Sequence, residues 1–588
     1  LNAWWKSLEK QPKKAWLFSA VGLIFISWVA FLYKLGSIGL IDKTEALYVE
    51  IAHQIVLTNN WINPQWNGDY FYSYPIGGSW FMALSFELFG VSEWAARFPV
   101  TLSAIAVVIL SFYTLRYFGN MDKKKVKKQR QLWTTAWIGS GIVALNPAWV
   151  AFGRIGVSDM FLSSGISLAM LAFFLGYAQP EKEKIQQRWY IAFPIFMAIA
   201  VLVKGPIGII LPVLGIGCFL IYVGKFWQVL AEIRPIRTII IFLALTLPWY
   251  ITASIVDENF VKEFLGFSNF QRFTNVLYNH PGPWYFYIIC ITVLMLPWSV
   301  YFPLAIARLR IGQLAKARFS PRHSHLGIFA FFWFITIFLF FSAAATKLPG
   351  YILPLIPAVA MIISLFWGEE MSKHKPEGNK SWFFMISAIV NIIILIALAV
   401  ASAMSANLAG GDPSSPNLES SLRGSGLPLR LTIIWGLAAL MSIFFLSKKQ
   451  LWRWLWSPNL FGFLAFITLI FPPLIPLLDA ERQQPFRQLS VLIKDEVKPE
   501  EEVFLMGFTR YSVVYYSQHE VEFFDNLEEA RNYLKDSNFP KSKSPTVLIL
   551  SEPKLLDNFE LNNQDFQLIS EKGAYQLIRI SKDALLQE

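Results

Sequence analysis

Cysteine is nearly missing from this sequence. The two present, Cys218 and Cys290, each sit inside an apolar run, where a thiol is an inert packing group. They exclude a disulfide framework and a cysteine-based metal site. Charge is scarce too: 15% of the 588 residues are Asp, Glu, Lys or Arg, against about a quarter in an ordinary soluble chain. Acidic side chains are almost absent from the centres of the apolar runs, which argues against a transporter or flippase, because those place polar groups at mid-membrane on broken helices. No internal repeat of the transporter kind is present.

What fills the chain instead is apolar sequence of membrane-crossing length, about 20 residues a run. Such runs cover residues 15–33, 98–117, 132–150, 160–176, 207–223, 239–255, 284–306, 326–342, 351–367, 382–404, 431–446 and 460–478, with a shorter one at 190–203. The expected fold is therefore an all-α polytopic membrane bundle of about thirteen transmembrane helices, residues 1–478. The first run has a basic flank (Lys10, Lys13, Lys14) but no convincing cleavage site before Lys34, so it reads as an uncleaved anchor.

The net charge of +11 follows the positive-inside asymmetry rather than a nucleic-acid footprint. With the N-terminus inside, alternate loops (123–130, 182–188, 225–237, 308–322, 373–380, 448–453) hold most of the Lys and Arg. Asp42, Asp159, Lys204, His280 and Lys347 then share the opposite, non-cytoplasmic face. Thirteen crossings leave the tail on that face as well. From Asp479 the composition becomes soluble, and residues 479–588 read as a small α/β domain. Strands are expected at 503–508, 512–516, 546–551 and 575–580, and a helix at 526–535. The long loop 36–97 carries Leu47, Ile51 and Ile55 at helical spacing, which reads as an amphipathic helix at the membrane surface. Residues 75–89 read as a second such helix, and 409–426, rich in Gly, Ser and Pro, as a flexible loop.

Five constellations could carry chemistry. Asp42-Lys43-Thr44-Glu45 reads either as a helix cap or as a carboxylate acting as general base at the membrane boundary. Arg154 to Asp159 opens a span, and a rim carboxylate is costly unless paired; Arg154 is the near partner. Lys204-Gly205-Pro206 and Thr346-Lys347-Leu348-Pro349-Gly350-Tyr351 each present a lysine on a turn. These lysines either snorkel or, beside Arg272, converge on a phosphate. His280, within Asn279 to Tyr285, is by itself as consistent with a surface histidine as with a metal ligand.

Taken in order, these segments resemble the lipid-dependent GT-C glycosyltransferases of the aminoarabinose transferase and protein mannosyltransferase superfamily. The matching stretches are Glu45 to Ala52, Ala96-Arg97-Phe98-Pro99, Arg154 to Asp159, Lys204-Gly205-Pro206, Phe270 to Phe273, Pro281 to Tyr287 and Lys347-Leu348-Pro349, within residues 40–360. The resemblance implies inverting transfer of a sugar from a polyprenyl-phosphate carrier to a lipid, glycan or protein acceptor outside the membrane, with the bacterial inner membrane as the expected location. A first-loop aspartate would serve as base, and Lys204, Arg272 and Lys347 would steady the leaving phosphate. Asp42, Glu45 and Asp159 are then the catalytic candidates. Tyr48, Tyr74, Tyr351, Arg154 and His280 join the three cations as substrate-binding candidates.

Two departures stand out. Where the family usually has Asp-Glu, this chain has Thr44-Glu45, which leaves the base to Asp42 or Glu45. Where the family often has an acidic residue and a lysine, this chain has Ser73 and Tyr74. The acidic partner that would join His280 around a divalent metal is thus serine, which argues against that metal but leaves it open; no other cofactor is expected. A catalytically silent binding protein with this fold is the other alternative the departures leave open.

Overall fold

A computed structural model describes residues 11–71, 74–120, 129–257, 281–372, 382–410, 415–535, 544–553 and 566–586, together with 260, 264, 274 and 275. Among these, ten helices are long and apolar enough to cross a bilayer. A bent pair, Phe286–Leu294 and Trp298–Leu309, turns by 109° at its break and makes an eleventh crossing if taken as one span. The other two of the thirteen expected crossings fall on Gln129–Ala144 and Ile207–Tyr222, helices of 16 residues each. At ~1.5 Å per residue they reach about 24 Å, short of the ~30 Å hydrocarbon core. The chain is a multi-pass integral membrane protein; length alone supports fewer crossings than thirteen.

The spans divide by environment. Helix α5 (Ser158–Tyr177) is buried along nearly its whole length. It packs against α4 (Glu93–Phe118) and α6 (Glu183–Lys204). By contrast, Trp382–Ala403 and Leu427–Ser447 leave most of their apolar surface uncovered. A helix that is apolar all round and uncovered is one that faces lipid.

The first loop is ordered by its own elements. It runs from α1 (Pro12–Ser27, continued to Leu32) through α2 (Thr44–Thr58), a hairpin of β1 (Gln65–Trp66) and β2 (Asp69–Tyr70), and α3 (Gly77–Phe89) into α4. The hairpin turns on Asn67 and Gly68, both at positive φ, the Asn-Gly pair that two-residue hairpins favour. Helix α2 forms where the spacing of Leu47, Ile51 and Ile55 predicts a helix, and the protein itself covers it. Ten of its residues, from Glu45 to Ile55, are buried, polar ones included. Rings from the C-terminal region cover it, with Tyr515 against His53 at 5.4 Å.

That C-terminal region is a five-stranded sheet in the order β4-β3-β5-β7-β6. Here β3 is Glu502–Met506, β4 Val521–Phe524, β5 Thr546–Ser551, β6 Phe566–Lys572 and β7 Tyr575–Ser581. The first three run parallel and β7 antiparallel to both β5 and β6. Strand alternation sends Val503 and Leu505 toward α8 (Gln484–Glu496), and Phe504 and Met506 toward the helix Leu527–Lys535. Residues 512–516, expected as a strand, are instead the helix α9 (Ser512–Ser517). Their β-branched and aromatic run favours a strand, but Asp42 binds the first turn from outside and tertiary contact overrides propensity. Strands β4 and β6 have no counterpart among the expected elements. The expected loop 409–426 contains the helix Leu418–Ser425.

Candidate functional site

Arg97 is a buried charge in the opening turns of α4. Burying it is costly unless every donor is met, and every donor is. Nε donates to Glu45 Oε1 at 2.7 Å and Nη2 to Glu45 Oε2 at 2.8 Å. The remaining hydrogens go to the carbonyls of Leu35 (3.0 Å), Ile38 (3.0 Å) and Gly39 (2.7 Å). Glu45 also accepts from the backbone N–H of Ile41 at 2.8 Å and of Gly156 at 2.7 Å. A β-carbon at Gly156 would stand 3.3 Å from Val49 and 3.4 Å from Glu45, so glycine is what allows that backbone approach. Four hydrogen bonds fill the capacity of a carboxylate. Glu45, a catalytic candidate, is placed as the clasp between the first loop and the 154–159 turn, with no lone pair left for an acceptor proton.

Asp42 faces the C-terminal sheet domain. Its Oδ1 accepts from Ser512 N–H at 2.8 Å and its Oδ2 from Ser512 Oγ–H at 2.6 Å. Burial pushes its carboxyl above the ordinary value, and the Ser512 hydrogen bonds and the Arg510 charge pull back without cancelling it. A carboxyl raised in the fold favours the folded state while protonated. Its contribution is complete below the ordinary carboxylate pKa and is lost as pH rises through the raised one. Asp42→Asn should therefore flatten the pH dependence of the thermal midpoint over that acidic interval. Parallel melting curves of wild type and variant across the interval would contradict it.

The third group lies where α5 begins and α6 ends. Asp159 is in the first turn of α5 and Lys204 is the last residue of α6, so each sits at the helix end whose dipole favours its charge. Gly205 at φ +88° turns the chain away and leaves the lysine at the edge. The two pair at 2.5 Å, with 19% of the Asp159 side chain still exposed, which keeps the carboxylate within reach of a ligand. Lys204 Nζ lies 5.6 Å from the Tyr74 ring and 5.9 Å from the Tyr351 ring. The Tyr48 ring lies tilted against Tyr74 with centroids 5.7 Å apart, and its hydroxyl accepts from Ser158 Oγ at 2.8 Å. Thus Asp159, Lys204, Tyr48, Tyr74 and Tyr351 are gathered at one place: an ion pair walled by three tyrosines.

The other candidates lie elsewhere. Lys347 Nζ donates to the carbonyls of Ser342 at 2.9 Å and Ala344 at 2.8 Å. It thereby closes the end of α7 (Leu326–Ala343), and its pKa is lowered by burial. It sits 5.7 Å from the ring of Tyr287; Tyr287 leads through Phe341 (6.3 Å) to Tyr351 (5.2 Å). Arg154, the expected partner of Asp159, donates to the carbonyls of Ala30 and Tyr33 at the end of the first span. Arg272 and His280 lie outside the described residues, as does Ser73. Among the described residues no three His, Cys, Asp or Glu side chains cluster as metal ligands. Ser158, Tyr287 and Ser512 are not among the candidates drawn from the sequence. Ser158 and Tyr287 fall inside quoted motifs, whereas Ser512 carries no local signal.

Comparisons with known proteins divide the chain in the same way. The family model of dolichyl-phosphate-mannose-protein mannosyltransferases matches residues 16–261. That of the C-terminal domain of cyanobacterial RgtA-type glycosyltransferases matches residues 496–588. An undecaprenyl phosphate-α-4-amino-4-deoxy-L-arabinose arabinosyl transferase of Shewanella sediminis is 28% identical over 381 residues, covering 63% of this chain and 65% of its own length. Its namesake from an Enterobacter species is 27% identical, covering 60% of each. The chain thus spans just under two thirds of the length of these curated relatives. The crystal structure of ArnT from Cupriavidus metallidurans bound to undecaprenyl phosphate matches with a TM-score of 0.72 at 18% identity, over 96% of this chain and 98% of that one.

Proposed function

From a chain that has the GT-C fold of the aminoarabinose transferases, we propose an inverting glycosyltransferase that takes a sugar from a polyprenyl-phosphate carrier. The acceptor is a lipid, glycan or protein group at the membrane boundary. The observation that carries this reading is the Asp159–Lys204 pair within its wall of tyrosines.

The pair divides the work of a single displacement. An acceptor hydroxyl attacks the anomeric carbon from the face opposite the phosphate. The bond between that carbon and the phosphate oxygen breaks, and the phosphate keeps the electron pair. Asp159 takes the acceptor proton as general base, and Lys204 meets the charge growing on the phosphate. Phosphate and Asp159 compete for one ammonium, so donor binding draws Lys204 away and frees the carboxylate to act. Arg272 is a further phosphate cation in this reading, implied by the resemblance. Tyr74 and Tyr351, both half-buried, offer ring faces to the sugar, Tyr48 backs Tyr74 from within, and Lys347 and Arg154 hold the flanking turns.

The alternation of basic loops supports the site and the C-terminal domain on the non-cytoplasmic side, and the bacterial origin of the similar transferases supports an inner-membrane location. The test is reconstitution with a polyprenyl-phosphate sugar and a mixed acceptor pool. Wild type should transfer, and Lys204→Met should lose at least about 10²-fold in turnover, the scale of one lost electrostatic donor. A well-folded wild type that neither binds nor turns over such a donor overturns the reading.

A further inference from the structure

We propose that Ser512 of the C-terminal domain is a positioning residue for transfer, acting through Asp42 on the first loop and so on Asp159; this rests on the reading above.

The loop 35–45 is gripped from two sides. On the membrane side, Arg97 holds the carbonyls of Leu35, Ile38 and Gly39 and both oxygens of Glu45. On the other side, α9 of the C-terminal domain supplies two further grips. Ser512 gives Asp42 a backbone and a hydroxyl hydrogen bond. Four residues on, the Tyr516 hydroxyl accepts from Leu40 N–H at 2.9 Å and donates to Glu93 Oε1 at 2.9 Å. One face of one short helix thus holds the loop at two points and ties it to the start of α4.

The grip continues to the reacting pair. Asp42 precedes Glu45 by three residues. Glu45 receives the N–H of Gly156, and the Ser158 hydroxyl next to Asp159 is bound to Tyr48 on α2. Loop 35–45 and turn 154–159 are therefore one hydrogen-bonded unit, and α9 fixes its outer side. Asp42, with both oxygens turned to α9, belongs to this latch, and a domain 470 positions away in sequence completes the setting of the site. Small displacements at such a distance matter because transfer needs reacting atoms held within a fraction of an ångström, and misplacement by about 1 Å can cost about 10²-fold.

The experiment compares wild type with Ser512→Ala, Tyr516→Phe and the double variant in nanodiscs, following both steady-state transfer and amide hydrogen exchange. Positioning predicts that kcat falls about tenfold in each single variant and further in the double, with the donor KM within about twofold, as expected for loss confined to the transition state. Ser512→Thr, which keeps the hydroxyl, should recover most of the loss. Amides of residues 38–45 should exchange faster while those of β3 and β5 do not. Unchanged exchange in 38–45, or unchanged kcat with faster exchange, overturns the proposal. If Ser512→Ala does not fold, Tyr516→Phe alone decides by the same two readouts. If wild type transfers nothing, the enzymatic reading fails, and the exchange comparison still decides whether α9 sets the loop.

Discussion

Cutting Arg97 back to alanine should destabilise the chain by about 3–5 kcal/mol, the cost of stranding one member of a buried ion pair. The pair is among the least exposed in the molecule, with side chains at 1% and 0%. Arg97→Ala leaves the Glu45 carboxylate buried without its countercharge and three carbonyls without donors. Removing Glu45 as well does not restore the balance, because the N–H groups of Ile41 and Gly156 then lose their acceptor, each at about 1–3 kcal/mol. Both variants are therefore expected to lose most of their folded yield in detergent, with a clear fall in thermal midpoint. Lysine at 97 should rescue little, since an ammonium has three donors where the guanidinium uses five. A midpoint within a few degrees of wild type for Arg97→Ala would show that the loop is held by something other than this clasp.

The second large effect is expected at Asp159. Asp159→Asn keeps the shape and removes the proton acceptor, so turnover should fall by about 10²–10⁴-fold, the contribution of one general base. Binding should move the other way. The asparagine no longer competes for Lys204, and a polyprenyl phosphate without its sugar should bind at least as tightly as to wild type. The two readouts together separate a lost base from a damaged site, because damage would weaken both. Turnover within tenfold of wild type would return the role to Asp42.

Much of this bundle is legible in the sequence, for a simple reason. A bilayer forces a long apolar run to be a helix, and each of the thirteen runs has one. Composition does not tell how long each helix stays regular. The run at 284–306 breaks into two pieces at 109°, and 132–150 stops at Ala144 before a second short helix, Pro147–Phe152. At the site, Asp159, Lys204 and the three tyrosines are legible as residues, since a charge at the rim of a span draws notice. Their pairing is not. Arg154 is the nearer partner for Asp159 in sequence, but Lys204 arrives from the end of the neighbouring antiparallel helix. Glu45 reads as a helix cap or a base; only the arrival of Arg97 from α4 makes it a clasp. Asp42 reads as an acid awaiting a substrate, and its partner Ser512 lies in a segment whose composition suggests a strand.

The hairpin of the first loop also guards an edge. Strand β4 borders the C-terminal sheet, and an open border invites pairing with other chains. Asn67, at the hairpin tip, donates its amide to the Val521 carbonyl at 2.9 Å and accepts the Val521 N–H at 2.9 Å, the two bonds a neighbouring strand would make. Trp66 lies flat beside Phe523 at 5.9 Å and shields the adjoining stretch. The tip is thus a surrogate strand one residue long. It lies 454 positions before the edge it covers, so one end of the chain shields the other. A chain whose first loop is out of place would leave this edge open to pairing with another chain.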